Sequence, residues 1–239
     1  MAMTSFYVGA YWGDRKESAE ECARRLSSCL AALTEVDPLL GSWRRLGRSK
    51  TTSQTLVGTD AGSLEQLLMK GRNRRDADRS VIEELGFQVG MWNGEEPEIS
   101  LSAGVGGYAG TPGLSNAVVL KLPAPVGIAR RLYGRQVARR ITEAIVGSWE
   151  PNWATWASHP LQEVQDAPAR TPVVGWLTYL SQARLAPEPA HTIGAEPLHG
   201  GWLVRAAEDV DGVSGDVVLA LRRSLQTAGA LSPTPIEVS

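Results

Sequence analysis

Cysteine is almost missing from this chain: of 239 residues only Cys22 and Cys29 carry a thiol. Seven positions apart, they fall on one face of a helix, where a bridge would be geometrically poor. They are expected to be reduced core residues, and a disulfide scaffold is excluded. Long apolar runs are missing too. No stretch approaches the ~18 apolar residues of a membrane span, and residues 1–6 show no basic segment ahead of an apolar run, so a soluble, cytoplasmic protein with no membrane partner is expected. Nor is there an excess of charge of one sign. With 24 Lys and Arg against 26 Asp and Glu, direct nucleic-acid binding through a strongly basic surface is not expected.

What is present is ordinary for a globular chain, 43% hydrophobic and 21% charged, apart from tryptophan, with eight against two phenylalanines. The carboxylates are unevenly placed, eight facing three cations over residues 160–216. Such a stretch would suit a basic partner surface, or it is a solvated face.

Residues 6–12 predict a buried strand. Asp14 and Glu17 have the spacing of a capping box for the helix that Cys22, Leu26, Cys29, Leu30 and Leu33 mark at helical period. A helical turn is expected over 37–43, loop over 44–59, and short helices over 63–69 and 76–85. Strands follow over 86–92, 99–105 and 117–122, with Asn93-Gly94 as a hairpin signal. A long helix spans 128–145, with Arg131, Arg135 and Arg139 as its wet stripe. Strands over 153–158, 173–180 and 201–206 and a helix over 216–227 complete the chain. Runs of strands set apart from helices predict an α+β fold, a largely antiparallel mixed sheet with helices packed mainly on one face. One domain over residues 1–239 is expected, its alternative internal division being two lobes, 1–148 and 149–239.

The usual signatures of chemistry fail one by one. His159, His191 and His199 stand apart, without ligand spacing, so no metal site is expected. Gly104, Gly106 and Ala109 imitate a dinucleotide fingerprint but lead through Pro112 into a strand rather than a helix. Residues 41–49 have five residues between their glycines and Arg48 in place of the lysine of a phosphate loop. Asp209, Asp211 and Gly212 suggest a calcium loop, yet Ala220 occupies the position of its bidentate glutamate. No glycine-flanked serine elbow exists. Trp92, beside Glu95, Glu96 and Glu98, is the best candidate anchor for a protein interface.

The opening Tyr11-Trp12-Gly13-Asp14-Arg15-Lys16-Glu17-Ser18, followed by Cys22-Ala23-Arg24-Arg25, resembles that of the immunity protein 52 family. Trp43, Leu85-Gly86-Phe87, Met91-Trp92-Asn93, residues 116–122 and the block Trp149-Glu150-Pro151-Asn152-Trp153-Ala154 are similar to the rest of its pattern, in order. The resemblance covers the first two-thirds of the chain. It implies a cytoplasmic member of a bacterial polymorphic toxin system that binds and neutralises the toxin encoded beside it, with no catalytic residue and no cofactor. It further implies a restriction-endonuclease-like nuclease toxin delivered by contact-dependent or type VI secretion. Tyr11, Trp12, Gly13, Arg15, Glu17, Trp149 and Trp153 are then family-motif residues expected to be structural, and Trp92, Glu95, Glu96 and Glu98 the toxin contacts. Two other classes compete: a hydrolase-type enzyme whose site is assembled from distant loops, and an adaptor component of a secretion system.

Overall fold

The computed structural model of the chain describes residues 4–46, 54–110, 116–168 and 170–233. In chain order, β1 (Phe6–Trp12) leads to α1 (Ala19–Val36), and β2 (Arg44–Arg45) and α2 (Ala61–Lys70) precede β3 (Phe87–Trp92), β4 (Ser100–Val105) and β5 (Asn116–Leu122). Then come α3 (Arg135–Trp149), β6 (Trp153–Ser158), α4 (His159–Glu163) and β7 (Leu177–Ser181). The last elements are α5 (Pro187–Thr192), β8 (Glu196–Leu198), β9 (Gly201–Arg205) and α6 (Gly215–Thr227). The class is α+β with antiparallel strand pairing, as the sequence predicts. Two units form, one from Met1–Tyr11 with Lys121–Thr234, the other from Trp12–Leu120.

In the unit of residues 12–120, α1 buries the predicted stripe Cys22, Leu26, Cys29, Leu30 and Leu33 against α2, and α2 packs on β3. The helix starts one turn later than expected. Ser18 is its N-cap, its hydroxyl accepting from the Glu21 N–H at 3.2 Å while the Glu21 carboxylate accepts from the Ser18 N–H at 2.8 Å. Asp14 and Glu17 share the spacing of a capping box but have stronger partners elsewhere, the Gly110 N–H and two arginines respectively. The helix expected over 76–85 is reduced to a 3-10 turn at Glu83–Leu85. Ahead of it Arg74 bridges Val81, and Asp78 takes the Ser80 N–H and hydroxyl at 3.0 and 2.7 Å. Side-chain bonds of this kind compete with the helical ladder.

The expected loop over 44–59 holds the short strand β2, in which Arg44 pairs with Trp92 on one side and Leu56 on the other; Arg48 and Ser49 of this stretch, like Pro112 further on, lie outside the described residues. The strands of this unit run in the order β2-β3-β4-β5. They alternate as a half-covered sheet must: Val89, Met91, Leu101, Ala103 and Val105 are buried, whereas Gln88 and Ser102 are exposed and Gly90, Trp92, Ser100 and Gly104 half-exposed. The β3–β4 hairpin forms, though with a seven-residue connection over 93–99 rather than a two-residue turn.

The other unit orders its strands β1-β6-β7-β9-β8. Every residue of β6 is buried, as are the first four of β7 and β9, so both faces of these strands are covered. Residues directly opposite in an antiparallel pair share a face. On one face Phe6, Tyr133, Trp156 and Trp176 form a chain of edge-to-face rings at 5.5, 5.6 and 5.5 Å. On the other, the Tyr7 hydroxyl donates to Gln162 of α4 at 3.0 Å and His191 of α5 meets Trp202 edge-on. The strand expected over 173–180 begins only at Leu177 because Gly175 presses against its neighbour: a Cβ there would lie 2.2 Å from the Trp156 carbonyl oxygen. The helix expected over 128–145 is split in two. Residues Gly127–Tyr133 are 3-10, and Gly134, in an extended conformation (ψ 134°), forces a fresh start at Arg135.

Candidate protein-binding surface

The hairpin tip is fixed by Asn93, a buried side chain whose amide group substitutes for missing backbone pairs. Its Nδ2 donates to the Pro97 carbonyl at 3.1 Å, its Oδ1 accepts from the Ile99 N–H at 3.0 Å, and its own N–H donates to the Ile99 carbonyl at 2.9 Å. Buried amides held this way cost little and rigidify what they hold. Gly94 is in the left-handed region (φ 79°), and a side chain there would run into the Arg44 guanidinium arm. The loop that results presents Glu95, Glu96 and Glu98 to solvent, and none of the three forms an ion pair among the described residues. Trp92, half-exposed at the base of the tip, shares its face with Arg44 and Ser100. The four sequence-predicted contact residues thus lie at the base and in the connection of one hairpin.

The family-motif residues lie elsewhere. The Glu17 carboxylate, only 9% exposed, bridges two guanidiniums, Arg15 Nε at 3.0 Å and Arg25 Nε at 2.7 Å, and the Arg15 guanidinium sits 4.8 Å above the Trp12 ring. The Gly13 carbonyl accepts from Asn116 Nδ2 at 2.7 Å, and the Arg15 N–H donates to the Gly107 carbonyl at 2.9 Å. Tyr11 stacks on Trp153 at 4.2 Å, and burial pushes its hydroxyl up to about 12. Trp149 is fully buried in α3. A groove of about 460 Å³ at the start of α1 is lined by mixed charge, Lys16 and Arg72 with Glu21 and Glu83, around Phe87 and Tyr108.

Of the eight carboxylates of the predicted acidic stretch, Glu196, Glu208 and Asp211 are paired with arginines of their own unit. Glu196 meets Arg135, Arg139 and Arg205 at 3.7, 3.7 and 3.3 Å, Glu208 pairs with Arg135, and Asp211 with Arg130. Arg135 and Arg139, expected to be a merely wet stripe, supply much of that charge. The histidines are scattered: His159 lies beside Tyr7, His191 against Trp202, and His199 is 3.6 Å from Glu143. No group of three metal-ligating side chains occurs among the described residues, and no helix described is long and apolar enough to cross a membrane. Burial pushes the Cys22 thiol up to about 12, which leaves it without thiolate character at neutral pH.

Sequence reasoning missed two apolar members of the hairpin surface, Leu46 and Leu56, which are 54% and 65% exposed. No local signal could have found them, because they reach β3 through the pairing of 43–46 with 55–57.

Over residues 4–234 the chain matches the model of a family described as Immunity protein 52. Among solved structures it is similar to the Pseudomonas aeruginosa T6SS protein PA0821, with a TM-score of 0.57 and 11% identity over 95% of this chain and 76% of that one. At that identity the likeness is one of fold. No curated protein matches the chain.

Proposed function

The chain belongs to the immunity protein 52 family, and from that premise we propose that it binds and neutralises one cognate toxin by direct protein–protein contact. The toxin is a nuclease of restriction-endonuclease-like fold, delivered into the cytoplasm through a secretion machine such as the type VI system. The observation that supports this reading is the hairpin tip: three exposed carboxylates with no ion pair among the described residues, on a loop held by Asn93 and flanked by a half-exposed tryptophan. A nuclease must bind phosphates, so its working face is basic, and fixed carboxylates compete for that face while steering the encounter. Rigidity matters because a loop already ordered gives up less entropy on binding. A large aromatic beside the charges adds apolar area and slows dissociation.

The test is co-expression with the C-terminal domain encoded by the neighbouring toxin gene, scoring survival and co-purification together. Rescue with a stable complex is expected. Death of cells that hold the folded chain and the folded toxin, with no complex recovered, would overturn the reading.

A further inference from the structure

The hairpin tip is one end of a longer surface. Successive residues of a strand alternate in face, so Gln88, Gly90 and Trp92 point to the side of β3 opposite its buried Val89 and Met91. Their partners Gly104, Ser102 and Ser100 share that side. No large side chain rises from its middle. Leu46 lies against Gly90, its Cβ 3.4 Å from where a Gly90 Cβ would be, and Leu56 joins the row Leu56–Arg44–Trp92–Ser100 through its bridge to Arg44. Two exposed leucines and a half-exposed tryptophan therefore stand on one side of three neighbouring segments, with Arg44 between Leu56 and Trp92, apolar area of the kind that interfaces bury.

Charge stands at both ends of this face. At the tip are Glu95, Glu96 and Glu98, and the one cation in the row, Arg44, is turned to the Gln54 carbonyl at 2.8 Å. At the other end, about 13 Å along β3 at ~3.3 Å per residue, a pocket of about 130 Å³ opens beside Gln88 and Gly104. Its lining includes Asp14 and Glu84 and, among the described residues, no cation. Two of the amides around it are spent as donors, Asn73 on the Leu85 carbonyl and Asn116 on the Gly13 and Gly107 carbonyls, while the Gln88 amide also lines it. What the pocket offers an incoming group is two acidic residues and the Gln88 amide in a space the size of a side-chain head.

We propose that the open face of β2, β3 and β4 is the toxin-binding surface, and that its occupant is a toxin element carrying an apolar ridge with a cationic side chain at each end. The ridge covers Leu46, Leu56 and Trp92, one cation enters the Asp14–Glu84 pocket, and the other meets the hairpin carboxylates. A cation in the pocket is shielded from water more than one at the tip, so it contributes more to residence time, while the tip contributes more to encounter. This assignment rests on the toxin-neutralising function proposed above.

The experiment measures binding of the full-length chain to the C-terminal domain of the neighbouring toxin for three variants. Glu84→Lys and Leu56→Asp alter exposed side chains, so both keep the wild-type unfolding midpoint. Each is expected to weaken binding at least thirtyfold, Glu84→Lys chiefly by faster dissociation. The triple Glu95→Lys, Glu96→Lys, Glu98→Lys is expected to slow association and to flatten its salt dependence. Wild-type affinity in Glu84→Lys and Leu56→Asp, with the complex intact, overturns this surface and leaves the function standing. Absence of any complex with the wild-type chain overturns the function and this surface with it.

Discussion

Residues 12–120 and the unit built around β6 differ in what happens to the second face of a strand. In the first, α2 packs on β3, and on β3 and β4 the residues between the buried ones stay wholly or partly exposed. In the second, β6 has no exposed residue at all, with tyrosine, tryptophan and helix contacts on either side. Three carboxylates of the second unit, Glu196, Glu208 and Asp211, have arginine partners, whereas the hairpin's Glu95, Glu96 and Glu98 have none among the described residues. A face that stability does not use is a face that recognition can use, and residues 12–120 carry one such face on β3 and β4.

The largest effect expected is on stability in the β6 unit. Trp156 is fully buried within the chain of rings, and Trp156→Ala should cost about 3–5 kcal/mol, read as a lower midpoint in guanidinium denaturation. Trp92→Ala, at a half-exposed position, should cost less than half as much. Equal costs would erase the distinction between the two units.

Charge reversal sharpens it next. The triple change of Glu95, Glu96 and Glu98 to lysine should lower affinity for the toxin domain a hundredfold or more, with the unfolding midpoint unchanged. Glu208→Lys with Asp211→Lys, which removes the paired carboxylates of the other unit, should leave affinity within threefold. A larger loss from the second pair would restore the stretch 160–216 as the contact.

The motif carboxylate tests whether everything functional in residues 12–120 is on the open face. Glu17→Gln removes the carboxylate charge that bridges the half-buried guanidiniums of Arg15 and Arg25. Breaking such a bridge should cost roughly 2 kcal/mol, discounted from the fully buried case for the exposure of the arginines. Affinity should be unchanged once the protein is folded. Weaker binding at full stability would instead make the Arg15–Glu17–Arg25 group a contact.

What the sequence revealed follows from how local each signal is. The α1 stripe, the alternation of β4 and the strand at 153–158 are periodicities carried by the side chains themselves, and each is found where expected. The capping box was misplaced because Asp14 and Glu17 obey the same spacing as Ser18 and Glu21, and only the tertiary partners of Asp14 and Glu17 decide between them. The start of β7 was misplaced for a similar reason, since the approach of Gly175 to Trp156 is a contact between segments distant in sequence. Trp92 and the glutamates were legible as one hairpin segment because they are adjacent in sequence. Leu46 and Leu56 were not, because only strand pairing brings them to β3, and the pocket at Asp14 and Glu84 was not, because it joins segments distant in sequence.

The smallest effect concerns how the helices of the two units begin. At the start of α1 the Glu21 carboxyl is held below its usual 4.5, first by the Ser18 backbone N–H and then by the Ser18 hydroxyl. α3 starts at Gly134 with no side-chain cap. A carboxyl whose folded value is lowered contributes stability that is fully present above the ordinary carboxylate range and is lost as pH falls through the lowered value. Acidification should therefore loosen the first turn of α1, raising hydrogen exchange at the Glu21 and Cys22 amides after correction for the intrinsic rate, and leave the first turn of α3 unchanged. Glu21→Gln should abolish that response. Ser18→Ala should cost about 1 kcal/mol while keeping part of the response, since the backbone N–H still reaches the carboxylate. A matching response in α3 would mean that acid loosens both units together, and the capping box would then not be its cause.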